Sequence, residues 1–225
     1  MKLFNPFTAG TQVAYVGGTH TTSDSNAQNF TLTYTPTAGN WIFIVALSEG
    51  NLQIACADNN SHSQALLTNV DDGRGGNAVA VFLTKAITGA TSYVVNFGQT
   101  VHGACALAEY SPSTATIGNF TTAPGQTTPF SNAQNITGAS NLILSAVGVF
   151  STQVTAATIT TGTKRQDSGA PTTYVEAILL DNNNSTGNAV AGTATGFASL
   201  GVGIASVELV SAPVATNANT IIGGF

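Results

Sequence analysis

Two glutamates stand in matching settings in this chain, Leu107-Ala108-Glu109-Tyr110-Ser111 and Ser206-Val207-Glu208-Leu209-Val210. A carboxylate pair is the minimum equipment for glycoside cleavage, provided a cleft holds the two roughly 5–9 Å apart. Here each closes an apolar segment in its own half of the chain. Equivalent places in two halves argue instead for one structural role performed twice, with each carboxylate bonding backbone groups. Asp58, Asp71 and Asp72, with Asn59 and Asn60, could offer oxygens to Ca²⁺, but their spacing fits no calcium loop. Asx residues build turns by bonding their own backbone, and that is the role expected of them. His20, His62 and His102 are scattered, and neither cysteine is spaced for zinc. The sequence has no Gly-x-Ser-x-Gly elbow and no phosphate-cradling Gly-x-x-x-x-Gly-Lys-Ser/Thr loop; Gly73-Arg74-Gly75-Gly76 reads as a hairpin tip. No catalytic residue, cofactor site or metal ligand is assigned, and no enzymatic activity is expected.

The scarcity of such groups is general. Only 7% of residues are charged, against about 25% in an ordinary domain, while 43% are hydrophobic. Ten acids outnumber five bases, and Lys2, Arg74, Lys85, Lys164 and Arg165 form no stripe. A groove that tracks phosphates is not expected, so nucleic acid is not an expected partner. No apolar run approaches the ~18–20 residues of a spanning helix, so neither is a membrane. Lys2 begins the chain as a secretory signal would, but Asn5 and Pro6 interrupt the apolar stretch that must follow. Export by that route is not expected. Cys56 and Cys105 are each flanked by alanines. Two buried free thiols are the favoured reading, with a disulfide across the sandwich as the alternative.

The elements that must position these residues are strands. Phe30 to Thr35 alternates apolar and polar, as a half-buried strand does. Trp41 to Leu47 is continuously apolar, as a strand covered on both faces is. Asn77 to Ala86, Ser92 to Phe97, Ala104 to Tyr110, Leu142 to Phe150, Tyr174 to Leu180 and Val202 to Val210 follow the same style. Turn-formers separate them, among them Ala38-Gly39-Asn40, Asp58-Asn59-Asn60 and Asp181 to Gly187. Many short strands with turn signals predict an all-β, jelly-roll-like antiparallel β-sandwich. An internal echo predicts that it was duplicated. Ser25-Asn26-Ala27-Gln28-Asn29 recurs as Ser131-Asn132-Ala133-Gln134-Asn135. Thr37 to Asn40 and Thr137 to Asn141 each lead into an apolar run, and each half closes on its glutamate. The expected organisation is an N-terminal arm over 1–10, a sandwich over 11–211 with halves of about 11–112 and 113–211, and a tail over 212–225. Two interleaved halves would build one double-sheet sandwich.

The order of Thr37 to Asn40 before an apolar strand, Asp58 to Asn60 closing a strand, and Glu109 to Ser111 closing another resembles a sandwich domain of roughly 200 residues. Such domains occur in phage virion proteins and bacterial surface proteins. The resemblance spans about Thr11 to Val210 and implies no catalytic residues. The ends add Leu3, Phe4 and Phe7, and Ile221, Ile222 and Phe225. Apolar side chains there are poorly tolerated unless docked, so these six are the expected partner contacts. The function expected is a non-enzymatic structural protein of a phage particle, a decoration, cement or fibre-associated subunit. It would be assembled in the host cytoplasm as a homo-oligomer, against itself and other virion proteins. The alternative is a carbohydrate-binding or adhesive module of a secreted, extracellular bacterial protein.

Overall fold

The computed structural model describes residues 11–22, 27–49, 53–71, 77–150, 154–169, 175–183, 188–196 and 201–212. Their elements are sixteen strands: β1 (Ala14–Thr22), β2 (Ala27–Thr33), β3 (Trp41–Glu49), β4 (Ala55–Asp58), β5 (Leu66–Asp71), β6 (Asn77–Lys85), β7 (Ser92–Val101), β8 (Gly103–Ser111), β9 (Thr116–Gln126), β10 (Phe130–Ala133), β11 (Leu142–Phe150), β12 (Val154–Thr161), β13 (Thr163–Asp167), β14 (Val175–Asn182), β15 (Asn188–Gly196) and β16 (Gly201–Val210). Among the described residues no helix is long and apolar enough to cross a membrane.

The sheets repeat after eight strands. The first half forms a large sheet β1-β8-β3-β6-β5 and a small sheet β2-β7-β4. The second forms β9-β16-β11-β14-β13 and β10-β15-β12, the same orders with every label raised by eight. Registers repeat too: Ile42 lies opposite Glu109 and Ile143 opposite Glu208. Each half thus closes its own antiparallel two-sheet sandwich, compatible with a jelly roll, instead of sharing one with the other half.

The strand plan is repeated, as the two matching halves predict, but the five-residue echo does not mark the repeat. Ser25 and Asn26 lie outside the described residues. Counting back from Thr37 and Thr137, which bind the two glutamates, Phe130 corresponds to Phe30 and Ser131–Asn135 to Thr31–Thr35. Both phenylalanines are buried. The echo is six residues out of step, a coincidence of an Asn- and Ser-rich composition.

Three apolar layers separate the four sheets. Alternate residues of β3 show why. Ile42, Ile44 and Ala46 face the small sheet and its Phe30, Tyr93 and Phe97. Trp41, Phe43, Val45 and Leu47 face the other half, meeting Leu144, Phe150, Leu179 and Val207. A third layer fills the second sandwich around Phe130, Val147, Ile178 and Ile204. Strands β3, β8, β11, β14 and β16 are therefore covered on both faces, which is what their unbroken apolar runs require.

The large sheets meet as a mould. Gly148 and Gly203 lie opposite each other on β11 and β16. A Cβ on Gly148 would stand 2.5 Å from Val79 Cγ2 and 2.6 Å from Leu47 Cδ2, and one on Gly203 would stand 2.8 Å from Val79 Cγ2. Two side chains of the first half fill a pit left by two missing ones in the second. Strand β1 lies against β13, and β5 against β9. Because β9 repeats β1 and β13 repeats β5, this is a two-fold-like arrangement. It has two seams that the strand plan makes equivalent, β1/β13 and β5/β9.

Candidate functional site

The glutamates lock loops. Glu109, buried on β8, accepts the Thr37 backbone N–H at 3.0 Å and the Asn40 amide at 2.6 Å on Oε1, and the Tyr34 hydroxyl at 2.7 Å on Oε2. Burial, reinforced by that bond, pushes the Tyr34 phenol up. Gly39, at φ +85°, turns the chain so that Asn40 reaches inward. Glu208 on β16 repeats the device. Its Oε1 accepts the Thr137 N–H at 2.6 Å, the Thr137 hydroxyl at 2.9 Å and the Asn141 amide at 2.8 Å. Its Oε2 is buried without a hydrogen-bond partner.

The other sequence candidates sit apart. Asp58 Oδ1 accepts the N–H groups of Asn60 and His62 at 2.9 Å each, closing the turn after β4. Burial works to raise its carboxyl, but the His62 and Asn60 bonds and the His62 ring hold it below its ordinary 3.8. Asp71 is exposed at the end of β5; Asp72 lies outside the described residues. Among the described residues no group of three His, Cys, Asp or Glu could hold a metal ion. Cys56 and Cys105 are buried free thiols, and burial pushes Cys56 up to about 12. Leu3, Phe4, Phe7, Ile221, Ile222 and Phe225 all lie outside the described residues.

Residues that the sequence did not bring together gather at the β1/β13 seam. Arg165 donates through Nε to Asp181 Oδ2 at 2.6 Å and lies 4.9 Å over the Tyr15 ring. Gln166 donates to the Tyr15 hydroxyl at 2.8 Å and its carbonyl meets His20 Nδ1 at 3.1 Å. Asp181 is 3% exposed. Burial raises its carboxyl above 3.8 even though Arg165 opposes the shift. The guanidinium is held by the pair, while the more deeply buried carboxylate is not fully compensated. Beside this pair opens a cavity of about 300 Å³, lined by Gln12, Val13, Leu142, Thr163 and Asn183 as well as the two charges.

A second buried carboxyl, Glu176 on β14, accepts the Ala157 N–H at 2.9 Å on Oε2 and has no partner on Oε1. Burial, with the neighbouring Asp167 adding, pushes it from 4.5 up to about 8. Asp167 itself is opposed by burial, but the Lys164 ammonium at 2.5 Å and the Gly169 N–H hold it below 3.8.

The β5 and β9 strands expose apolar side chains. Leu66 is 46% exposed, Ile117 45% and Phe120 39%. Both strands are edges of their sheets, and β9 carries no charged residue. A shallow groove of about 400 Å³ runs beside Phe120, between Asn119 and Gln134.

Asp181 was expected in a turn, because it heads the run Asp-Asn-Asn-Asn. It is instead a strand residue opposite Leu144. The signal available for the site was the doublet Lys164-Arg165 in a chain with five bases. No protein-family model, curated protein or solved structure matches the chain.

Proposed function

We propose that the chain is a non-enzymatic structural subunit of a phage particle, acting through contacts with neighbouring copies and with other virion proteins. The observation that carries this reading is the β5/β9 rim, where Leu66, Ile117 and Phe120 are exposed on two sheet edges. Natural proteins blunt such edges with charges, prolines or covers, because unpaired backbone groups there recruit another strand. Strand β9 has eleven residues without a charge, and its one proline, Pro124, stands near its end. A neighbouring subunit seated on this rim would satisfy both the backbone groups and the apolar side chains. The sandwich plan recurs in capsid and lectin domains, and the site, not the fold, has to decide between such roles.

Ile117→Lys combined with Phe120→Lys tests the reading. Exposed positions of this kind change stability by about 0.5 kcal/mol or less, so the variant should melt as the parent does. Its incorporation into particles, and its self-association in sedimentation velocity runs, should be lost. Incorporation and association at the parent's level would overturn the proposal.

A further inference from the structure

The two seams form an internal control. Strand registers make Arg165 the counterpart of Leu67, both at a bulge, and Asp181 the counterpart of Leu83. At the β5/β9 seam the fold therefore builds this place from two leucines that belong to the apolar layer between the large sheets. At the β1/β13 seam it builds the same place from an ion pair whose carboxylate is buried. Such a pair loses more hydration than a hydrophobic pair and is weak evidence of a stabilising role. The fold does not demand it.

The cavity has a control as well. Leu142, in its wall, is the counterpart of Trp41, and Val13 that of Ala115. In the first half the Trp41 indole reaches across and donates to the Ala115 carbonyl at 2.9 Å, with Lys85 over its face. The place is filled. In the second half a shorter, apolar Leu142 stands there, and about 300 Å³ remains open. At one seam Trp41 fills the place; at its twin the place is open and polar.

We propose that the β1/β13 seam pocket binds a neutral saccharide residue. Its volume is at the lower end of the roughly 300–1,000 Å³ of small-molecule sites, enough for one sugar ring. The one cation in its wall is already neutralised by Asp181, which disfavours an anionic ligand. The rest of the wall supplies paired donors and acceptors, the amides of Gln12 and Asn183 and the hydroxyl of Thr163. Arg165 has five donors and gives one to Asp181. A ring of hydroxyls, each donor and acceptor at once, fits that wall.

The test uses the whole chain and four probes: D-glucose, D-galactose, D-mannose and N-acetyl-D-glucosamine. Saturation-transfer NMR, with amide shifts mapped at Gln12, Thr163 and Asn183, should show saturable binding of at least one. Gln12→Ala with Asn183→Ala, both exposed, should weaken it at least tenfold without altering the melting temperature. Leu142→Trp, which installs the side chain that fills the matching place, should abolish it. No saturable binding of any of the four sugars would overturn the proposal. So would binding that persists in the folded double alanine variant.

Discussion

Glu176 is a carboxyl whose surroundings favour its neutral form, and this fixes the sign of a pH effect. The unfolded chain releases this proton near 4.5, whereas the folded chain keeps it to about 8. Between those values the folded state binds more protons, so stability falls as pH rises and levels off above about 8. Asp181, also raised, works in the same direction above 3.8. Asp167 has the opposite sign, but its contribution is lost only as pH falls through a value below 3.8, outside that window. Denaturant melts at pH 5 and pH 8 should therefore show the parent less stable at pH 8, by on the order of a few kcal/mol. Glu176→Gln, which cannot ionise, should remove most of that difference. An unchanged difference in the variant would mean that Glu176 is not its source.

At the scale of elements, each glutamate ties the loop before a central strand to the strand beside it. The two ties are unequal, since both oxygens of Glu109 accept bonds and only one of Glu208 does. An amide in place of Glu109 must set its NH₂ against the Tyr34 hydroxyl, which then reverses from donor to acceptor and gives up a bond to a charged oxygen, whereas one in place of Glu208 can direct it to the unpartnered side. Glu109→Gln should cost about 1–3 kcal/mol and Glu208→Gln distinctly less, measured by urea unfolding; equal losses would refute the unequal ties. The strands carrying these ties were legible in the sequence because burial on both faces leaves an unbroken apolar run. Strands β9, β12 and β15 were not, because Thr, Gly, Ala and Asn without regular alternation read as loop. The seam site was hidden for a related reason. The matched Thr37–Asn40 and Thr137–Asn141 stretches already set Trp41 beside Leu142 in sequence, but nothing there shows that the Trp41 indole reaches Ala115 while the place beside Leu142 stays open. The second sandwich also disguises its core. Leu32, Ile44 and Leu107 of the first correspond to Asn132, Ser145 and Ser206, where the Asn132 amide donates to Ser206 at 3.0 Å and the two serine hydroxyls meet at 2.8 Å.

For the whole molecule, the shared middle layer makes two sandwiches one body, and Gly148 with Gly203 sets how closely they approach. Gly148→Leu gives the second half the residue that the first half carries at this place, Leu47. It would force the sheets apart, an overpacking cost of about 1–3 kcal/mol or more, read as a lowered urea midpoint. A variant as stable as the parent would show that the pit is not tightly filled. The pit has a further consequence for a chain assembled from near-copies of itself. Two like halves from different molecules present the same face to each other, and nascent chains crowded together could dimerise through it. First half on first half would set Leu47 and Val79 against their own copies; second half on second half would leave facing hollows. Only unlike halves fit, so the glycines act as a key that excludes the pairing of like halves between chains.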